Sequence, residues 1–276
     1  TAIPLAAVSG DNIATRSDAM AWWDGPTLIS HLEAIPVRGD AGQDAPFRLP
    51  VQWVNRPHQD FRGFAGQIAS GRIAPGDAVR ILPSGSTTTV KAIPGFDGDR
   101  GEAQAGDSIT LTLTDEVDCS RGDVIASADD PPEVADQFEA TIVWMDAQPL
   151  KPGRGYWLKL GTQTVTATIA EPKYEINVNT MAKLAATSLG LNAIGVAEVT
   201  TERRIVFEPY DVNPTLGGFV LIDKVSNQTV AAGMLHFALR RAQNVHWQAT
   251  SVGREDHAAL KNQTPRVLWF TGLSGS

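Results

Sequence analysis

The last residues of the 276-residue chain carry its most chemically pointed pattern. Val267-Leu268-Trp269-Phe270, a strand-like apolar run, leads through Thr271 into Gly272-Leu273-Ser274-Gly275-Ser276. A phosphate-binding loop reads Gly, four residues, then Gly-Lys-Ser/Thr, between a strand and a helix. Its glycines let backbone N–H groups close around phosphate, and the lysine reaches the terminal phosphates. Gly272 to Ser276 match the first five positions of such a loop; its lysine and its Mg²⁺-binding hydroxyl are expected beyond Ser276.

Other patterns fail on their spacing. Gly153-Arg154-Gly155 has no third glycine in register for a dinucleotide fingerprint, and entry into a strand accounts for it. The C-terminal run is no nucleophile elbow, because Ser276 stands where G-x-S-x-G needs glycine. His31, His58, His236, His246 and His257 never pair at metal-ligand spacing. The carboxylates Asp97, Asp99, Asp107, Asp115, Glu116 and Asp118 fall at turns without calcium-loop spacing and read as solvated. Cys119, the single cysteine, has no histidine nearby in sequence and reads as a small, half-buried spacer. One cysteine excludes an internal disulfide and suits a reducing compartment.

Composition narrows the function classes. The net charge of −8 and pI near 5.1 argue against a nucleic-acid binder that works by neutralising phosphates. No run approaches the ~18 apolar residues of a membrane span and no charged-then-apolar leader opens the chain, so a cytoplasmic protein is expected.

The elements that position these residues are mostly strands. Phe61 to Val79, FRGFAGQIASGRIAPGDAV, places Gly63, Gly66, Gly71 and Gly76 where turns or close backbone approaches need no Cβ. Pro75-Gly76-Asp77 is a turn with proline at its first corner and glycine at its second. Around it, Val51-Gln52-Trp53-Val54, Ala78 to Leu82, Thr87 to Ile93 and Ser108 to Leu113 read as strands of a first barrel over 47–130. A second barrel over 135–248 has strands at Phe138 to Trp144, Tyr156 to Leu160, Val165 to Ile169, Ile194 to Thr200, Arg204 to Phe207, Gly218 to Ile222 and Val230 to Leu235. Residues 36–46 read as a linker. Ahead of it, Thr1 to Val8 is strand-like, and Thr27 caps a helix carrying Leu28, Ile29, Leu32 and Ile35 on one face, ending before Pro36.

FRLPVQWVNRP followed by DFRGFAGQIASGRIAPGD resembles the second domain of translation-factor-type GTPases, and within them the large subunit of the bacterial GTP-driven sulfate adenylyltransferase. WMDAQPLKPGRGYWLK and PYDVNPTLGGFVLIDKVSNQTVAAGM resemble that subunit's third domain. IPLAAVSGDNI is similar to the last guanine-contacting loop of the GTPase domain and WWDGPTLISHLEAI to its closing helix, while AALKNQTPRVLWFTGLSGS resembles the start of adenylylsulfate kinase. The resemblance implies a mainly β chain: two translation-factor-type barrels, residues 1–35 as the tail of an α/β GTPase domain, and 249–276 as linker and first strand of a P-loop kinase.

It further implies Ala6, Ala7 and Val8 as a remnant guanine loop, where the family usually has Ser-Ala-Leu, and Gly272, Leu273, Ser274, Gly275 and Ser276 as a truncated ATP phosphate loop. The parent would use GTP, ATP and Mg²⁺, none held tightly by these residues alone, and would partner the small catalytic subunit rather than nucleic acid or membrane. The fragment itself is expected to be inactive. A translation elongation factor would share the barrels but is disfavoured by the acidic balance and by the appended loop; a non-catalytic docking module is the other alternative.

Overall fold

Alternating apolar and polar side chains build two antiparallel sheets in series. The computed structural model describes residues 2–35, 42 and 44–239. Before the sheets come a short 3₁₀ turn, Asp18–Met20, and α1 (Leu28–Ala34). Thr27 caps α1 as its type predicts, its Oγ1 accepting the Ser30 N–H at 3.2 Å. Ile29, Leu32 and Ile35 lie exposed on this helix. Thr1 to Val8 does not form the strand its apolar content suggests: residues 2–8 hold a single bridge, Ala6 to Asp11. An apolar run needs a neighbouring strand to take its backbone bonds, and none lies beside it among the described residues.

The first sheet comprises β1 (Arg48–Pro50), β2 (Trp53–Asn55), β3 (Gly63–Gln67), β5 (Ala78–Leu82), β6 (Thr87–Ala92), β8 (Ser108–Leu113) and β9 (Val124–Ser127). A small ribbon pairs β4 (Arg72–Ile73) with β7 (Ala103–Gln104). The strand order is β1-β9-β5-β6-β8-β3-β2. Val51 to Val54 is therefore not one strand. The Val51 N–H donates to the Asp123 carbonyl at 2.8 Å and the next, of Gln52, to Ala65 at 2.8 Å, so the chain changes partner from β9 to β3 at this point. Closure is completed where the Ala69 N–H donates to the Arg48 carbonyl at 2.8 Å and the Arg48 N–H to that of Ser70 at 2.9 Å. The Pro75-Gly76 turn forms as its residues predict, with Gly76 at φ +96° and the Asp77 N–H donating to Ala74 at 3.2 Å. Phe64, Ile81, Leu111 and Ile125 fill the interior.

The second sheet closes on itself. Its strands are β10 (Glu133–Trp144), β11 (Gly155–Leu160), β12 (Gln163–Ile169), β13 (Tyr174–Ile176), β14 (Lys183–Leu184), β15 (Ile194–Phe207), β16 (Gly218–Asp223) and β17 (Thr229–Ala238). The order β10-β17-β16-β11-β12-β15 is completed by pairing of β15 back onto β10, which makes a six-stranded barrel; the β13–β14 hairpin hangs from β15. Ile194 to Thr200 and Arg204 to Phe207 are halves of one strand. Ala135 pairs Ile205 while Gln137 pairs Thr200, so Thr201 to Arg204 bulge out opposite Asp136 alone. The Thr201 hydroxyl holds this bulge by donating to the Arg203 carbonyl at 2.8 Å. Inside, Phe138 meets Phe207 edge-on at 4.8 Å and Trp144 meets Tyr156 at 5.9 Å. The Trp144 indole N–H is satisfied by the Gln148 carbonyl at 2.7 Å.

A third apolar cluster joins the barrels: Leu82, Val124 and Ala126 from the first against Val206 and Leu216 from the second, with Val134 beside them. Leu216 belongs to α2 (Pro214–Gly217), a single turn capped by Asn213, whose Oδ1 accepts the Thr215 N–H at 3.1 Å.

Candidate functional site

Ala6, Ala7 and Val8 lie on an exposed turn ahead of the barrels. The turn is pinned at its base by the Ala6 N–H to Asp11 O bond (3.2 Å) and by the Gly10 N–H to Ala6 O bond (2.9 Å). Asp11 accepts from the hydroxyls of Ser17, at 2.6 Å, and of Ser9. These bonds, that of Ser17 foremost, hold its carboxyl below the usual carboxylate range. Asn12 is buried beneath, its side-chain amide donating to the Pro4 carbonyl at 2.7 Å. Among the described residues, the N–H groups of Ala7 and Val8 meet no acceptor. The turn thus leaves two backbone donors without a backbone acceptor on an exposed edge.

The side chains that make the barrels one unit were not singled out by sequence. Arg48, 2% exposed, donates from Nε to Glu208 Oε1 at 2.9 Å, pairs with the same oxygen through Nη2 at 2.8 Å, and donates from Nη1 to the Phe47 carbonyl at 3.0 Å. Glu208 Oε2 in turn accepts from Asn213 Nδ2 at 2.9 Å, tying the ion pair to the cap of α2. Beside them, buried Gln163 bonds both backbone groups of Val206, donating to its carbonyl at 2.8 Å and accepting its N–H at 3.1 Å. An arginine inside the apolar strand start FRLP was the available sign, since a charge at a core-facing position needs a partner. The partner, 160 residues away, left no local trace.

Cys119 is buried in the first core rather than half-buried, with Val117 packed against the same cluster. Burial first, and the nearby Asp123 carboxylate second, push its thiol up to about 12. Native protein at pH 8 is therefore expected to leave Cys119 untouched by a thiol-specific disulfide reagent, with stoichiometric reaction in 6 M guanidinium chloride. Because the thiol's folded value lies above its ordinary value of 9.0, its contribution to stability is full below about pH 9 and is lost as pH rises from there to about 12. Rapid labelling of native protein would refute this.

On the second barrel Glu139 accepts from Lys173 and sits 3.4 Å from His236 Nδ1, while His236 Nε2 lies 2.9 Å from the Thr141 hydroxyl. The Lys173 bond chiefly holds the Glu139 carboxyl below its ordinary range. Among the described residues no group of three histidine, cysteine or acidic side chains is placed to hold a metal. His246, His257, Val267 to Phe270 and the loop Gly272, Leu273, Ser274, Gly275 and Ser276 lie outside the described residues. No helix among the described residues is long and apolar enough to cross a membrane.

Residues 137–236 match the family model for GTP-eEF1A C-terminal domain-like proteins. Similar solved structures include sup35 complexed with GDP, with a TM-score of 0.67 at 22% identity over 84% of this chain and 57% of that one, and sup35 complexed with GMPPNP at 0.66. The barrels are thus of the translation-factor type. Curated relatives include the bifunctional enzyme NodQ of Rhizobium sp. (strain N33), 50% identical over 99% of this chain and 42% of its own length. NodQ of Azospirillum brasilense is 48% identical over 100% of this chain and 44% of its own, and the bifunctional enzyme CysN/CysC of Xylella fastidiosa 49% over 99% and 44%. The chain spans less than half the length of these relatives. Along practically its whole length, it is a relative of the NodQ and CysN/CysC bifunctional enzymes, built on translation-factor-type β-barrels.

Proposed function

We propose that this chain is the two-barrel section of a bifunctional sulfate-activation enzyme. In that enzyme a GTPase large subunit drives the transfer of an adenylyl group from ATP to sulfate on a small catalytic subunit, and a fused kinase phosphorylates the resulting adenylylsulfate. The observation that carries this reading is the identity of 48–50% along the whole chain to NodQ and CysN/CysC. It is supported by a pair of barrels joined through a buried ion pair, which suits a body that passes on the nucleotide state as a unit.

In the intact protein the Ala7 and Val8 N–H groups would take the guanine edge, and Gly272 to Ser276 would form the first half of the kinase's ATP loop. When bound, GTP and ATP supply the cleavable phosphoanhydrides and Mg²⁺ the charge neutralisation that phosphoryl transfer needs. What the described residues contribute is orientation and a rigid link to the partner surface.

The test uses the full-length gene product with its small subunit: adenylylsulfate formation from ATP and sulfate is expected to depend on GTP and to stop when GDP replaces it. A rate indifferent to GTP would overturn the reading. The 276 residues contain no Gly-Lys dipeptide and hence no complete phosphate loop. As an isolated polypeptide they are expected to show neither saturable GTP binding by calorimetry nor adenylylsulfate kinase activity; micromolar GTP affinity would contradict this.

A further inference from the structure

We propose that a groove on the outer face of the second barrel docks an amphipathic helix of the small catalytic subunit, one whose apolar side chains are followed by a carboxylate that meets Lys159. The identity of that subunit rests on the functional reading above. The groove has a volume of about 550 Å³ and is lined by Val143, Tyr210, Val220, Ala232 and Met234 together with Lys159.

The residue pattern marks this face as one that is covered. On β12 the barrel follows the usual antiparallel rule: Val165, Ala167 and Ile169 enter the core, while Thr164, Thr166 and Thr168 face outward. On β16 and β17 the rule breaks. Phe219, Leu221 and Leu235 enter the core, yet the outward positions hold Val220, Ala232 and Met234, all half-buried. The register sets Val143 beside Ala232, Ala232 beside Val220 and Val220 beside Lys159. An apolar row therefore crosses β10, β17 and β16 and ends on a cation of β11, about 14 Å away at ordinary strand spacing.

The row also indicates the kind of partner. Each of these four strands is paired on both sides, so no backbone edge is open to an added strand and side chains must carry the recognition. A row of that length matches about two and a half helical turns, with apolar side chains at i and i+4 over Val143, Ala232 and Val220 and a carboxylate at i+8 over Lys159. Lys159 is exposed and makes no hydrogen bond or ion pair among the described residues, so its charge is open to an acidic side chain. The Tyr210 wall is set in advance: its N–H donates to the Leu235 carbonyl at 2.9 Å, and a Cβ on Gly217 would stand 2.5 Å from its Cα and N. Little ordering cost then opposes binding. A second copy of this chain fits worse, because a two-fold contact through the same patch would set one hollow against another with no projecting side chain to fill either.

The experiment measures binding of the small subunit to the immobilised full-length gene product by biolayer interferometry at low and high salt. Ala232→Arg, which fills the groove, should weaken binding about a hundredfold. Lys159→Glu should weaken it about tenfold, and Lys159→Met should weaken it less and flatten its salt dependence. Lys91→Glu, exposed on the first barrel, should leave it unchanged. Thermal melts establish which variants are folded, and the exposed Lys159 keeps its variants informative where Ala232→Arg unfolds. Unchanged affinity in both Lys159 variants, or in folded Ala232→Arg, would overturn the docking site and leave the functional reading standing; no binding by the unaltered protein would overturn both. A dimer of the full-length product alone that Ala232→Arg dissolves would assign the groove to a second copy and likewise overturn the proposal.

Discussion

Replacing Arg48 with alanine is expected to destabilise the protein by about 3–5 kcal/mol, the loss typical when one partner of a buried ion pair is removed. Glu208 would keep its Asn213 bond but lose both contacts from the guanidinium, and a carboxylate with little solvent access would face an apolar seam. The damage should exceed that of the double variant Arg48→Met/Glu208→Leu, in which no stranded charge is left. Urea unfolding followed by tryptophan fluorescence and far-UV circular dichroism measures both. Because the pair bridges the barrels, Arg48→Ala should also separate a single transition into two, one for each barrel. A loss below about 1 kcal/mol would mean that the carboxylate finds water and that the apolar seam alone joins the barrels.

Gly71→Val should be comparably harmful for a different reason. Gly71 sits at φ +78°, a region that β-branched residues avoid, and a Cβ there would stand 2.5 Å from both Cα and N of Phe47. These neighbours are backbone and cannot rotate away. The Gly71 carbonyl also accepts the Ala105 N–H at 2.9 Å, so movement of this residue would loosen the ribbon of β4 and β7 as well. Left-handed strain and the backbone overlap together should cost about 3 kcal/mol or more, read as a lowered melting temperature. Gly76→Val, at a similar φ with nothing within 4 Å of its Cβ position, carries the same side chain and the same backbone strain without the overlap and should cost clearly less, so the pair separates overlap from φ strain. Equal losses at the two positions would show that overlap contributes nothing.

Legibility from sequence followed the physics of each element. Ser108 to Leu113 was readable because Ile109, Leu111 and Leu113 alternate with polar residues, and these three are its buried side chains. Val124 to Ser127 was not, since a strand in contact with the core on one face and the seam on the other shows no alternation. Gly63 to Gln67 hid behind its glycines, which look like turn residues until a neighbour's backbone is known to lie against them. At the candidate site, the apolar residues up to Val8 promised a strand, which among the described residues no partner completes beyond the Ala6–Asp11 bridge. Arg48 and Glu208 were invisible as a pair because only the folded chain brings them together.

The change of partner at Val51 and Gln52 has a consequence for how the chain acquires its shape. Strands β1 and β2 close the first barrel by reaching β9 on one side and β3 on the other, and β9 is the last strand of that barrel in sequence. A polypeptide leaving the ribosome therefore cannot close this barrel until Ser127 has emerged, and its early strands wait with an open edge. From then on the barrel has its full hydrogen-bond ladder, while Arg48 stays without its carboxylate until Glu208 is made. The nascent first barrel thus carries a solvated arginine on the face that later becomes the seam, a charge that opposes sticking to other chains during that interval.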